Sequence, residues 1–259
     1  MPVRDLDLLL DVAEEAGEIA LKHFQQEPDH WDKPGEQGPV SVADLEVNRM
    51  LEYRLQAARP DYGWLSEESP DDPERLDCER TFIIDPIDGT RSFIAGHENF
   101  AHSLAIAKNG VVTAAVVHMP AKSLTFAAAL GCGATLNGEP ITPSTTEALD
   151  QAEALVAKPM MDATYWPGGV PPLRRNFRSS LAYRLSLVAN GRFDAMITFR
   201  PAWEWDVAAG DLICTEAGAC VFDTKGRVPA YNSRGAKTAG MIACAPRIRD
   251  SLLTHVTGS

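Results

Sequence analysis

Cysteine is scarce and unpatterned in this chain. Cys78, Cys132, Cys214, Cys220 and Cys244 are odd in number, widely spaced and free of any C-x-x-C pair. That excludes a disulfide framework or a zinc knuckle and points to a reducing compartment. Long apolar runs are missing as well. Val111 to Val117 is far shorter than the roughly 20 residues that span a bilayer. Arg4, Asp5, Asp7 and Asp11 interrupt the leucines where a secretory signal needs an unbroken apolar stretch. A soluble, cytoplasmic protein is expected. Positive charge is in deficit: 24 Lys and Arg against 36 Asp and Glu give −12. Nucleic-acid polymers and anionic membrane surfaces would be repelled by the average surface, and a metal nuclease lacks its basic track. No cysteine has an arginine six residues on, no D-x-D-x-[TV] nucleophile motif occurs, and no G-x-x-x-x-G-K-[ST] loop exists. Covalent phosphoenzyme chemistry and nucleotide triphosphate binding lose their usual signatures.

What is present is a chain of 259 residues with ordinary globular composition, enough for one large domain or two closely packed ones. Apolar residues recur at three and four from Leu9 through Val12, Ala13, Ala16, Ile19, Ala20 and Phe24, which predicts an amphipathic helix. A polar loop over Glu27 to Pro39 follows. Ser41 with Asp44 three residues on then reads as a capping box opening a second helix that Pro60 stops,. Beyond it come short extended segments at Tyr62–Leu65, Thr81–Ile84, His102–Lys108, Val111–His118 and Leu124–Ala129. Asn109-Gly110 and Asn137-Gly138 mark two hairpin turns,. After Pro143 strands and helices alternate: Ala154–Ala157, a helix near Leu181–Ala189, Phe193–Phe199, a helix from Asp206 to Ala217 closed by Gly218, and Met241–Ala245. The expectation is an α+β N-terminal domain over residues 1–143, with a mainly antiparallel sheet, and a C-terminal α/β domain over 144–259. No linker separates them, so a site between them is expected.

The chemistry concentrates in Thr81-Phe-Ile-Ile-Asp85-Pro86-Ile87-Asp88-Gly89-Thr90-Arg91-Ser92-Phe93. An apolar β-run delivers Asp85 to a strand end, Pro86 stiffens the exit, and Gly89 permits a backbone conformation that a Cβ would penalise. Asp88 then faces the same small volume. Thr90 opens a helix whose free N–H groups suit a phosphate. Like charges that close need a cation between them, and Mg²⁺ is the hard ion held by a few carboxylates plus substrate phosphate. Turn-forming Asp and an N-cap explain a lone D-x-x-D-G-T equally well, so other acids must decide. They occur at Glu67-Glu68 and at Trp203-Glu204-Trp205-Asp206. Taken singly, these are a solvated loop and an ordinary acid at a helix start. Gly131-x-Gly133 lacks the third glycine of a dinucleotide fingerprint and reads as a turn, while His102 and His118 read as partly buried structural residues,.

Together the E-E dipeptide, the D-P-I-D-G-T hexapeptide and the W-D-x-A-A-G segment resemble the inositol monophosphatase family of Mg²⁺-dependent, lithium-sensitive phosphatases. The similarity runs nearly end to end, with support from Pro39–Asp44, Ala134–Gly138 and Leu187–Gly191. It implies a layered αβαβα sandwich and a site of two or three Mg²⁺ ions. Glu67, Asp85 and the carbonyl of Ile87 would hold one ion, and Asp85, Asp88 and Asp206 another, with Glu68 just outside. Glu67 would also take part in catalysis. Thr90 and Asp44 match the pair that orients and deprotonates the attacking water, and the amides of Gly89 and Thr90 would grip the phosphate. The implied activity is hydrolysis of a small phosphate ester, inositol monophosphate or 3'-phosphoadenosine 5'-phosphate, by a homodimer. Histidinol phosphate is an alternative substrate, and a catalytically silent metal-binding regulator an alternative role. Arg91-Ser92-Phe93 replaces the family's T-N-F, and Phe199-Arg200 stands near the place of a ring-binding glutamate, which weakens inositol specificity. Arg91, Arg178, Arg184 and Arg200 are candidate specificity residues. Arg174, Arg175, Arg178 and Arg184 cluster in an otherwise acidic chain and suit a second phosphate, or else form a solvated face.

Overall fold

A computed structural model describes residues 2–35 and 38–258. The first helix, α1 (Pro2–His23), starts earlier than the apolar periodicity and buries Leu9, Val12, Ala13, Ala16 and Ala20. The polar stretch after it is partly structured: β1 (His30–Asp32) and β2 (Pro39–Ser41) form an antiparallel pair. Glu36 and Gln37 of the expected loop lie outside the described residues. The capping box is present. Ser41 caps α2 (Val42–Ala58), and the Asp44 carboxylate reaches back to the Ser41 amide at 2.9 Å.

A seven-stranded sheet follows in simple order: β3 (Gly63–Ser66), β4 (Arg80–Asp88), β5 (Ala101–Lys108), β6 (Val111–Met119), β7 (Leu124–Ala129), β8 (Ala134–Leu136) and β9 (Glu139–Pro140). Within this sheet β3 pairs with β4 in parallel, and the other neighbouring strands pair antiparallel. Both predicted hairpins occur, with positive φ at Asn109, Gly110, Asn137 and Gly138, as two-residue turns matched to strand twist require. Short α3 (Thr90–Ile94) lies between β4 and β5.

A second sheet is built from the five strands β10 (Glu153–Val156), β11 (Arg174–Asn176), β12 (Ala195–Thr198), β14 (Cys220–Phe222) and β16 (Met241–Cys244). Its order is β11-β10-β12-β16-β14. The strands β13 (Ala202–Trp203) and β15 (Lys237–Thr238) pair separately. Helices α4 (Leu181–Ala189), α5 (Glu204–Ala217) and α6 (Arg249–Thr257) complete the elements.

Alternation along the strands sorts the core into layers. On β4 to β6, Phe82, Ile84, Leu104, Ile106, Ala114 and Val116 join the cluster under α1 and α2. Ile83, Ala105, Ala115 and Val117 point the other way, into a cluster with α4 and α5. That same cluster takes Leu155, Met196 and Ala243 from the second sheet, whose remaining face, with Ala154, Ile197 and Ile242, packs on Leu252 and Val256 of α6. The order is therefore helices, sheet, helices, sheet, helix, as an αβαβα sandwich requires. Because the middle of each sheet is covered on both faces, the central strands β4 to β7, β10, β12 and β16 read as largely apolar runs and not as apolar–polar alternation,.

Candidate metal centre

The D-P-I-D-G-T segment departs from its expected shape in an informative way. β4 does not end at Ile84 with Pro86 as its exit; it continues to Asp88 through a bulge. Asp85 lies opposite Ser103 and Asp88 opposite Ala101, so two residues of β4, Pro86 and Ile87, face the single residue His102 of β5. A proline fits there because a bulge needs no ladder N–H from it. In a regular strand residues three apart point to opposite faces. The extra residue cancels that, and both aspartates turn toward the layer of α4 and α5.

Asp206 comes to meet them from the first turn of α5. Asp85, Asp88 and Asp206 each offer a carboxylate oxygen within 4.8 Å of the other two. Asp85 is fully buried, and its Oδ1 has no hydrogen-bond partner among the described residues. Burial, and then the charges of Glu67, Asp88, Asp206 and Asp44, push its pKa well above the ordinary carboxylate range. Burial and the charge of Asp88 do the same to Asp206. Asp88 is raised by burial too, against hydrogen bonds that favour its charge. Its Oδ2 accepts from the Ser180 hydroxyl and from the Ala182 amide, both at 2.7 Å, so this carboxylate caps the start of α4. Ser180 itself sits at φ 67, a conformation an L-residue adopts only when its surroundings hold it.

The other predicted residues fall around this group. Glu67 follows β3 and adjoins Asp85, but its Oε1 takes an ion pair from Lys33 at 2.6 Å, and the same ammonium reaches Glu68 Oε1 at 2.8 Å. Burial raises both glutamates, Lys33 opposing it. Burial works against the Lys33 charge, yet the two acids raise its pKa overall. Asp44, in the first turn of α2, is pushed up to about 6 by burial. The Thr90 hydroxyl stands 3.0 Å from Asp44 Oδ1 and 3.0 Å from the Ile87 carbonyl; its one proton goes to one of the two. Gly89 caps α3 at φ 102, where a Cβ would also lie 3.0 Å from the Asn99 carbonyl oxygen.

Around these groups is a cavity of about 380 Å³, large enough for a small metabolite. Arg91, Phe177 and Trp203 form part of its wall. Arg178, Arg184 and Arg200 do not border it. The Arg178 guanidinium lies over the Phe193 ring, and that of Arg184 lies 4.4 Å above the Phe177 ring. Arg174 and Arg175 are exposed on β11. Phe199, near the place of the family's glutamate, packs against Tyr165 and Trp166.

Two contributors had no signal in the sequence, and a third, His102, had only that of a partly buried structural residue. Lys33 is one lysine in a polar loop. Ser180 supplies a contact to Asp88 from 92 residues away. His102 is wholly buried, and its Nδ1 lies 2.5 Å from the Pro86 carbonyl in the bulge.

Residues 4–257 match the model of the inositol monophosphatase family. Among curated relatives, a histidinol-phosphatase of Chlorobaculum parvum is 31% identical over 241 residues, covering 91% of this chain and 92% of its own. The Nus factor SuhB of Escherichia coli is 29% identical over 97% of this chain and 95% of its own. Among solved structures, an IMPase of Thermotoga maritima superposes with a TM-score of 0.85 at 30% identity, covering 98% of this chain and 97% of the other.

Proposed function

The chain belongs to the inositol monophosphatase family, and from that membership and the geometry of its acids we propose a Mg²⁺-dependent phosphomonoesterase for a small phosphorylated metabolite. One observation carries the reading: three buried aspartates converge within 4.8 Å, one of them with an orphaned oxygen. Such a group is stable when a hard cation neutralises it. Asp85, Asp88 and Asp206 would hold one ion, and Glu67, Asp85 and the Ile87 carbonyl another, with Lys33 keeping Glu68 and sharing Glu67. When bound, such ions neutralise the phosphate and lower the pKa of water. The chain's own residues do the rest. Thr90 donates to Asp44, which frees the Ile87 carbonyl and leaves the Thr90 oxygen to accept from the attacking water. Asp44, near 6, is poised to receive that proton through Thr90 at neutral pH. The Gly89 and Thr90 amides orient the phosphate. On this reading the stretch 1–143 would supply most of these groups and 144–259 Asp206 and the Asp88 cap, with the site between two domains. A cytoplasmic homodimer inhibited by lithium completes the reading.

The wall of the cavity supports a finer choice of ester. Phe199 is turned away into the Tyr165 and Trp166 rings, so no acid stands there to bind polyol hydroxyls. Phe177, 48% exposed, and Arg91 border the site instead. A flat ring or a second anion on the leaving group suits them better than inositol does, which favours histidinol phosphate or 3'-phosphoadenosine 5'-phosphate. The test is phosphate release from these two, inositol 1-phosphate and a sugar bisphosphate, with and without Mg²⁺. Turnover of one of the first two that vanishes in EDTA and in Asp88→Asn supports the reading. Metal-independent turnover refutes it, and Mg²⁺ uptake with no turnover of any ester shows a silent metal-binding regulator.

A further inference from the structure

His102 is fully buried, yet its Nε2 has no hydrogen-bond partner among the described residues. A buried acceptor left so costs about 1–3 kcal/mol, and an apolar side chain of similar volume would fill the space without that penalty. What it could not supply is an N–H. Burial pushes the imidazole down to about 3, so the ring is neutral. The Pro86 carbonyl can only accept, and the single ring proton therefore sits on Nδ1, 2.5 Å from that oxygen,.

The place of this bond matters more than its strength. Pro86 and Ile87 have no register partner of their own, and His102 is the one residue of β5 that faces them. Side chains alternate along β5, so His102 leaves the sheet on the α1 face, while Asp85 and Asp88 leave it on the other. The imidazole thus holds the bulge from behind. The His118 ring stacks on it at 5.9 Å and 22°, with His118 Nδ1 at 2.9 Å from the Thr125 hydroxyl. Gly17 of α1 closes over His118, where a Cβ would lie 2.7 Å from Nε2.

We infer that His102 is a positioning residue of the cation centre: by holding the Pro86 carbonyl it fixes the bulge that turns Asp85 and Asp88 to one side, and so sets the affinity for the divalent ion. This rests on the metal-centre reading above. Removing a group that orients metal ligands weakens binding by about 10–100-fold. The experiment is calorimetric titration of Mg²⁺ into the wild type, His102→Leu and His102→Asn, with melting of each metal-free protein. The asparagine keeps an N–H near the position of Nδ1. His102→Leu should bind about 10–100-fold more weakly, and His102→Asn should recover most of the affinity. Unchanged affinity in a folded His102→Leu, whatever its melting point, overturns the inference, as does an asparagine variant as weak as the leucine. A wild type that takes up no Mg²⁺ sinks the metal-centre reading itself. Should His102→Leu not fold, ¹⁵N spectra of the wild type decide. A slowly exchanging Nδ1–H on His102 that shifts with Mg²⁺ is required, and a ring protonated at Nε2, or one indifferent to Mg²⁺, overturns it.

Discussion

Replacing Asp206 with asparagine should act in opposite directions with and without the cation. Asp85, Asp88 and Asp206 have oxygens within 4.8 Å of one another, and unit charges at that separation repel by about 3 kcal/mol per pair at an effective dielectric near 20. Partial protonation relieves some of this, which is what the raised pKa of Asp85 and Asp206 expresses. In EDTA at neutral pH the variant should therefore be more stable by about 1–3 kcal/mol. A few tenths are lost again because an acid in the first turn of α5 favours the helix dipole. In a chain of this size that gain is about 2–4 °C of melting temperature per kcal/mol. Mg²⁺ reverses the order. A cation at a hundredfold excess over its Kd adds about 2.7 kcal/mol to the wild type, and the variant should forgo most of it. Melting both proteins across a Mg²⁺ series, beside phosphate release, reads the crossing directly. An asparagine variant that melts below the wild type in EDTA, or that keeps the full Mg²⁺ response, refutes the reasoning.

Thr90→Val, which loses the hydroxyl shared with Asp44 and Ile87, should lower kcat by about a hundredfold or more while Mg²⁺ affinity by calorimetry stays put. Gly17→Ala places a Cβ 2.7 Å from His118 Nε2 and 3.1 Å from Pro120 Cβ, and overpacking there should cost about 1–3 kcal/mol in denaturant unfolding. Asp211 is raised to about 6 by burial, with Tyr231 and Thr215 hydrogen-bonding to it. Its folded pKa exceeds its unfolded one, so its stabilising contribution is complete below about pH 4 and is lost as pH rises through about 6. Asp44 is raised to about 6 as well, so the Asp211 share, about 3 kcal/mol, is read as the difference between wild type and Asp211→Asn in metal-free unfolding across that window.

Local signals carried much of the fold. The Ser41–Asp44 box, the two Asn-Gly turns, the Leu181–Ala189 helix and the Gly218 stop each depend on a few neighbouring residues, and each occurs. The pairing of β1 with β2 has no local signal because three-residue strands carry too little pattern, and the extension of β4 through Pro86 has none because a proline after an apolar run reads as an exit. At the site, the acids were visible as residue types. Their partners were not: Lys33 against Glu67 and Glu68, and Ser180 against Asp88, join segments 34 and 92 residues apart, and nothing in a local pattern encodes such pairings. The arginines show the reverse case. Their clustering in sequence suggested a joint role, but the Arg178 and Arg184 guanidinium groups lie over the phenylalanine rings of Phe193 and Phe177.

One oxygen of the Asp88 carboxylate is committed to the first turn of α4, so the side chain that stands beside Asp85 and Asp206 also starts a helix. Cutting the polypeptide after residue 143 would strand that turn without its acceptor and strip α4 and α5 of the sheet they pack on. A C-terminal fragment expressed alone would therefore be an aggregating, partly ordered species, and mixing it with its N-terminal counterpart should restore both solubility and the start of that helix in one step.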